Sequence, residues 1–202
     1  LPGSELYEGF GLLGTLVNPD SPSVLESFGA AVATSGSKII IGSPREDLPN
    51  TSDAGVVRVF DGITGEILLT IDNPDPDSAG ALDNFGSAVA TVSDKILVGV
   101  PGDDIVIHFP GIMFGIVNIP PFDLTFPDVG SVYVFDANTG EQIHRLRHPQ
   151  SFSSTGFGSA LTTLGSDIVV GAPDEDVEEM IRLREQKKRE AETNRLTVNL
   201  LV

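Results

Sequence analysis

The sequence of 202 residues contains no cysteine and has few basic side chains. The lack of cysteine excludes disulfide bonds, a thiolate zinc site and a cysteine nucleophile. Only 12 lysines and arginines stand against 29 aspartates and glutamates, which gives a formal net charge of −17. Proteins bind nucleic-acid phosphates through clustered Lys and Arg, so this composition argues against a nucleic-acid partner.

Signatures of catalysis and of membrane insertion are also missing. The sequence has no Gly-x-Ser-x-Gly, His-Glu-x-x-His or phosphate-binding loop pattern. Its start has no basic region followed by an apolar region, so we expect that any secretory signal has been removed. The most apolar stretch, residues 105–122, contains Pro110, Pro120 and Pro121, which would break a spanning helix. We interpret this stretch as an apolar loop insertion and expect no membrane span.

Glycine and proline are abundant, with 22 and 14 residues, and indicate many turns between short elements. Self-comparison shows three copies of one pattern, in which Phe-Gly precedes an apolar strand that ends in Gly-x-Pro. The Phe-Gly pairs begin at Phe28, Phe85 and Phe157, and the Gly-x-Pro prolines are Pro44, Pro101 and Pro173. The repeat is the main source of the fold prediction.

A second pattern, Asp-x-x-Thr-Gly-Glu, follows the first two copies at residues 61–66 and 136–141. It predicts hairpin turns in which Asp61 and Asp136 cap the bend. Each unit is therefore predicted to hold four short antiparallel strands, at the spacing of β-propeller blades. A solenoid of β-hairpins is the alternative.

Phe-Gly followed by Gly-x-Pro resembles the FG-GAP repeats that form the blades of integrin-α-like β-propellers. Gly171-Ala172-Pro173 is the literal motif, and the resemblance covers about residues 10–176 three times. It implies an all-β fold in which residues 1–176 form about three blade repeats of an incomplete ring. The ring is short of strands, so the chain is a fragment, or copies associate edge to edge, or the C-terminal tail fills the gap. We favour association.

The calcium site of integrin-like blades is not expected to carry over. In that family an Asp-rich loop between Phe-Gly and Gly-Ala-Pro holds the ion. Here the corresponding connections, residues 34–38, 91–95 and 163–167, contain at most one acidic residue each. Calcium takes six to eight oxygen ligands. We expect no metal or other cofactor, with calcium left as an open alternative.

Residues 177–202 form a second segment of different composition. The absence of Gly and Pro from 176 to 196 predicts a C-terminal helix, and residues 197–202 are predicted to form a strand. The helix has only a short apolar stripe, which includes Met180 and Ile181. These two residues are candidates for an interface, and the terminal strand could supply a strand missing from the ring.

An acidic pair follows each Gly-x-Pro by one residue. These pairs are Glu46/Asp47, Asp103/Asp104 and Glu175/Asp176. One interpretation is an acidic rim at one end of the propeller that binds a cation or a basic partner. The alternative is that the carboxylates only cap turns.

The insertion, residues 105–127, is the second candidate site because it is rich in large apolar side chains. The candidates are Phe109, Met113, Phe114, Phe122 and Phe126. The insertion either folds over its own blade as extra core or forms an exposed apolar patch that docks another subunit or ligand. Asn50 begins a sequon and is a candidate for glycosylation.

Together these features predict a non-catalytic binding or adhesion module that is extracellular or on the cell surface. By the resemblance, its blade loops recognise protein or glycan. The first alternative is a structural subunit of a self-associating surface assembly, in which neighbouring chains complete the blades. The second alternative is a secreted hydrolase or lyase.

Overall fold

A computed structural model describes residues 14–19, 26–49, 51–75, 82–114, 117–148 and 154–174. Within these ranges the chain is all-β, with fourteen antiparallel strands in five sheets and no α-helix. In chain order the strands are β1 (Ala31–Ser35), β2 (Lys38–Ser43), β3 (Val56–Asp61), β4 (Ile67–Asp72), β5 (Ala88–Val92), β6 (Lys95–Val100), β7 (Ile105–Phe109), β8 (Ile112–Phe114), β9 (Val117–Ile119), β10 (Phe122–Phe126), β11 (Ser131–Asp136), β12 (Gln142–Arg147), β13 (Ala160–Leu164) and β14 (Asp167–Gly171).

Each of the three repeats begins with an antiparallel pair of strands. The first sheet has the strand order β1-β2-β3-β4, and the second has β5-β6-β11-β12. Both are four-stranded antiparallel sheets, as predicted from the repeat. The third repeat contributes the hairpin β13–β14, called here the third hairpin. None of the described sheets closes on itself, so the arrangement as propeller blades stays a prediction.

The predicted Asp-x-x-Thr-Gly turns join the last two strands of both four-stranded sheets. Asp61 Oδ1 accepts hydrogen bonds from the backbone N–H groups of Ile63 and Thr64, at 2.8 and 2.9 Å. Asp136 does the same for the N–H groups two and three residues further on, at 2.8 and 3.0 Å. These bonds lower the pKa of both aspartates. The prediction that the two aspartates cap the bends is confirmed.

The first sheet, the second sheet and the third hairpin pack in succession. One buried apolar cluster joins the first two sheets through Val57 and Val59 on one side and Val89 and Val98 on the other. Phe85 lies in this cluster, edge-on to the rings of Tyr133 and Phe135. A second cluster joins the second sheet to the third hairpin. Its members are Ala90, Leu97, Val132 and Val134, packed against Val92, Leu146, Phe157, Leu161, Ile168 and Val170.

The Phe-Gly and Gly-x-Pro motifs meet at these junctions. A Cβ placed on Gly42 would lie 2.1 Å from the carbonyl oxygen of Gly86, and one on Gly99 would lie 2.0 Å from that of Gly158. Side chains are thus excluded where two backbones come this close. The repeat is therefore the sequence signature of a contact between successive layers.

The insertion is not a loop, contrary to the expectation from its prolines. It forms an arm of two nested antiparallel strand pairs, in which β7 pairs with β10 and, between them in the chain, β8 pairs with β9. Pro110, Pro120 and Pro121 lie between these two pairs. Proline lacks a ladder donor and is tolerated at such interruptions. The name "arm" is used below for residues 105–126.

Several predicted features lie outside the described residues. They are the C-terminal helix and terminal strand of residues 177–202, the sequon residue Asn50, the acidic pair Glu175 and Asp176, and the interface candidates Met180 and Ile181. The predictions made for these residues therefore stay predictions.

Candidate functional site

The acidic pairs that follow Gly-x-Pro each divide into an inner and an outer carboxylate. Glu46 and Asp103, the inner members, are buried. Asp47 is exposed and Asp104 is half-buried. In the first two repeats, where both members of the pair are described, only the outer carboxylates, Asp47 and Asp104, can therefore contribute to an acidic surface.

In the first sheet, Glu46 forms a buried ion pair with Arg58 of β3. The guanidinium donates to both carboxylate oxygens, with Nη1 at 2.6 Å from Oε2 and Nη2 in a second contact to Oε1. The side-chain amide of Asn18 also donates to Glu46, at 3.1 Å, and to Glu26, at 2.9 Å. Buried charges are stable only when they are paired and hydrogen-bonded in this way.

In the second sheet, Asp103 occupies the same place and pairs with Arg145 of β12 at 2.5 Å. Arg145 also pairs with Asp75 at 2.7 Å and donates to Ser131 Oγ at 3.1 Å. Its guanidinium carbon lies 5.1 Å from the ring centre of Tyr133, which fits a cation–π contact. Burial raises the pKa of Asp103, while the charge of Arg145 acts in the opposite direction.

The strand register shows how the two arginines are related. Arg58 on β3 faces Thr70 on β4, whereas Tyr133 on β11 faces Arg145 on β12. The arginine has therefore changed strands between the repeats, and an aromatic ring fills the position that it leaves. Neither ion pair is visible in the spacing of the motifs. A basic residue within an apolar strand, as in Val57-Arg58-Val59, is the signal that could have found the first one.

The outer carboxylates hold the backbone of the following loop. Asp47 Oδ1 accepts from the N–H of Asp53 at 2.9 Å, and Asp104 Oδ1 accepts from the N–H of Asp128 at the same distance. Asp53 and Asp128 have φ values of 50° and 52°, in the left-handed region that few non-glycine residues adopt. The geometry thus matches the turn-capping interpretation of the acidic pairs.

The arm presents several large apolar side chains to solvent. The paired strands β7 and β10 form the stem of the arm. One face of the stem carries the apolar side chains Ile105, Ile107, Phe109, Phe122, Leu124 and Phe126. The rings of Phe109 and Phe122 stack with centres 4.8 Å apart and remain 39% and 52% exposed. Beyond them, Met113 is 74% exposed. The arm does not fold over the second sheet as extra core.

The other face of the stem is polar. There, His108 Nδ1 lies 2.7 Å from Asp123 Oδ1, and both side chains are exposed. Of the remaining predicted interface residues, Phe126 is half-buried near the base of the stem and Phe114 lies on β8. The structure therefore stacks Phe109 on Phe122 and places Met113 further out on the same arm.

Within the described ranges, no group of three or more His, Asp or Glu side chains is placed to share a metal ion. The same ranges contain no helix that is long and apolar enough to cross a membrane.

Neither a protein family nor a curated protein sequence matches the chain. One solved structure that it resembles is described as the crystal structure of the computationally designed Ika4 protein. The alignment covers 80% of this chain and 92% of that chain, with 17% sequence identity and a TM-score of 0.35. A similarity at this level carries no argument about fold or function.

Proposed function

We propose that the protein is a non-catalytic, extracellular interaction module built from FG-GAP-type blades, and that it binds a protein partner through the arm. The observation that carries the proposal is the exposed ring stack of Phe109 and Phe122 on a projecting hairpin. Exposed aromatic side chains concentrated on one face are typical of interaction sites rather than of a free surface.

The chemistry of the arm favours protein over glycan as the partner. Its exposed face is aliphatic and aromatic, while its polar pair, His108 and Asp123, lies on the opposite face. A sugar ligand needs hydrogen-bonding groups beside the ring on which it stacks. An apolar pocket on another protein would match this face without them.

The test compares the natural chain with the double variant Phe109→Ser/Phe122→Ser on an array of extracellular-matrix proteins and glycans. We expect the natural chain to bind one or more of the proteins and the variant to lose at least tenfold in affinity. The control is Ile63→Ser, which removes a more exposed apolar side chain from the β3–β4 turn of the first sheet. Equal binding by all three chains would contradict the proposal.

The self-associating assembly remains a second candidate because the two ends of the layer series are complementary. Val32 of the first sheet and Val169 of the third hairpin are exposed, although the matching residues of the second sheet, Val89 and Leu97, are buried.

A further inference from the structure

The contact between successive layers uses the same four positions at both junctions. The earlier layer contributes the glycine of Gly-x-Pro and the apolar residue two positions before it. The later layer contributes the glycine of Phe-Gly and the apolar residue three positions after it. At the first junction these are Gly42, Ile40, Gly86 and Val89, and at the second they are Gly99, Leu97, Gly158 and Leu161.

A hydrogen-bond ladder runs through the same junctions. The hydroxyl of Thr91 donates to the carbonyl of Thr34 at 2.7 Å, across the first junction. The hydroxyl of Thr163 donates to the carbonyl of Thr91 at 3.3 Å, across the second. Each threonine occupies the same position of its repeat, six residues after the Phe. The ladder therefore fixes the height at which one layer sits against the next.

The front of the first sheet carries the later-layer half of this contact, and no layer formed by the described residues covers it. Val32 corresponds to Val89 but is 58% exposed, whereas Val89 is 8% exposed. A Cβ placed on Gly29 would meet no atom within 4 Å, although the matching Gly86 is crowded by the first sheet. The side chain of Val32 points away from the second sheet, since Ala31 and Ala33 pack on that side.

The back of the third hairpin carries the complementary half. Val169 corresponds to Leu97 and is 48% exposed, whereas Leu97 is fully buried. The three atoms nearest to a Cβ on Gly171 would all belong to its own hairpin partner, Ala160. Ile168 and Val170 point toward the second sheet, so Val169 points to the opposite side.

We propose that a second copy of this chain docks head to tail, with Val169 and Gly171 of one copy against Val32 and Gly29 of the next. A second copy is the expected partner of these surfaces, because two junctions of the same chemistry already form between the layers of a single chain. In the new junction, the Thr34 hydroxyl of one copy donates to the Thr163 carbonyl of the other. The contact uses the first two strands of a repeat, which all three repeats have in common.

The proposed junction is heterologous, so each copy uses two different surfaces and the assembly grows into a ring or a filament. It is smaller than the internal junction between two four-stranded sheets, and we expect it to depend on concentration. The net charge of −17 opposes contact between copies. At physiological ionic strength, the repulsion between exposed charges is screened beyond a distance of about 8 Å. Added salt should therefore strengthen the association.

The test uses two variants that block opposite ends, Val32→Asp and Val169→Asp, in sedimentation velocity over a concentration series. We expect the natural chain to form dimers and larger species and each variant alone to stay monomeric. An equimolar mixture of the two variants should form dimers and nothing larger, because one intact surface of each kind remains. Ile63→Asp is the matched control, and we expect it to associate like the natural chain.

Both mutated valines are exposed, so the variants should keep the melting temperature of the natural chain. The double variant Phe109→Ser/Phe122→Ser separates this proposal from the function of the arm. Association that persists in the double variant supports the head-to-tail junction. Three results would overturn the junction: loss of association in this double variant, a natural chain that is monomeric at every concentration, or a mixture of the two valine variants that stays monomeric. None of them would contradict the proposed binding of a partner through the arm.

Discussion

The first and second sheets differ in how they neutralise a buried carboxylate. Both bury a carboxylate two residues after the proline of Gly-x-Pro, as Glu46 in one and Asp103 in the other. The first sheet neutralises it from the third strand, with Arg58, and the second from the fourth strand, with Arg145. The repeat therefore fixes where the carboxylate lies but leaves open which strand supplies its counter-charge.

The two arrangements also differ in what they connect. Arg58 and Glu46 belong to the same repeat, and both are almost fully buried. Arg145 reaches Asp103 of its own repeat and also Asp75, which precedes the second sheet in the chain. The second ion pair thus ties the sheet to the connection that enters it, and it remains partly in contact with solvent.

Removal of the arginine should have the largest effect in the first sheet. Arg58→Ala leaves Glu46 buried without its main counter-charge, which in proteins costs about 3–5 kcal/mol. Arg145→Ala should cost less, because the Arg145 side chain is 15% exposed, so solvent can enter the space that it leaves, and because burial already raises the pKa of Asp103, which eases its protonation. Urea unfolding of both variants measures the difference, and a larger loss for Arg145→Ala would reverse this ranking.

Transfer of the second arrangement into the first sheet should recover part of that loss. Arg58→Tyr removes the charge, and adding Thr70→Arg places a guanidinium at the position that Arg145 has in the second sheet. A charged hydrogen bond contributes about 1.5–3 kcal/mol, and we expect a recovery of that order, measured by urea unfolding against Arg58→Tyr alone.

The control for this transfer is Arg58→Tyr/Thr70→Gln, which has a long polar side chain without the charge. It should recover little of the unfolding free energy. Equal stability of the two double variants would show that the two sheets do not share an interchangeable ion-pair site.

The features that could be predicted from the sequence are those set by short local patterns. Phe-Gly, Gly-x-Pro and Asp-x-x-Thr-Gly each constrain a few neighbouring residues, and they located the strands and turns of both sheets. The ion pairs escaped prediction because Glu46 and Arg58 meet only through the register of β2 and β3. The prolines of the arm predict a loop because each would break a helix, whereas the β-branched residues Ile105, Val106 and Ile107 are typical of the strand that forms there.

The smallest expected effect concerns pH and contrasts the half-buried turn aspartates with the buried Asp103. Backbone hydrogen bonds lower the pKa of Asp136, so its contribution to stability is present above the unfolded value of 3.8 and is lost as the pH falls. Burial raises the pKa of Asp103, so its contribution has the opposite sign and is lost as the pH rises through the folded value.

Asparagine keeps an oxygen acceptor at either position and removes the titration. Relative to the natural chain, Asp136→Asn should therefore lose stability as the pH rises from about 3 to neutrality, while Asp103→Asn should gain. Urea unfolding midpoints across this range measure both slopes, and Asp61→Asn should repeat the behaviour of Asp136→Asn because its turn has the same hydrogen bonds. Slopes of the same sign for Asp136→Asn and Asp103→Asn would mean that Arg145 outweighs burial at Asp103. In that case the buried ion pair of the second sheet would favour the charged carboxylate, and Arg145 would contribute to stability most strongly near neutral pH.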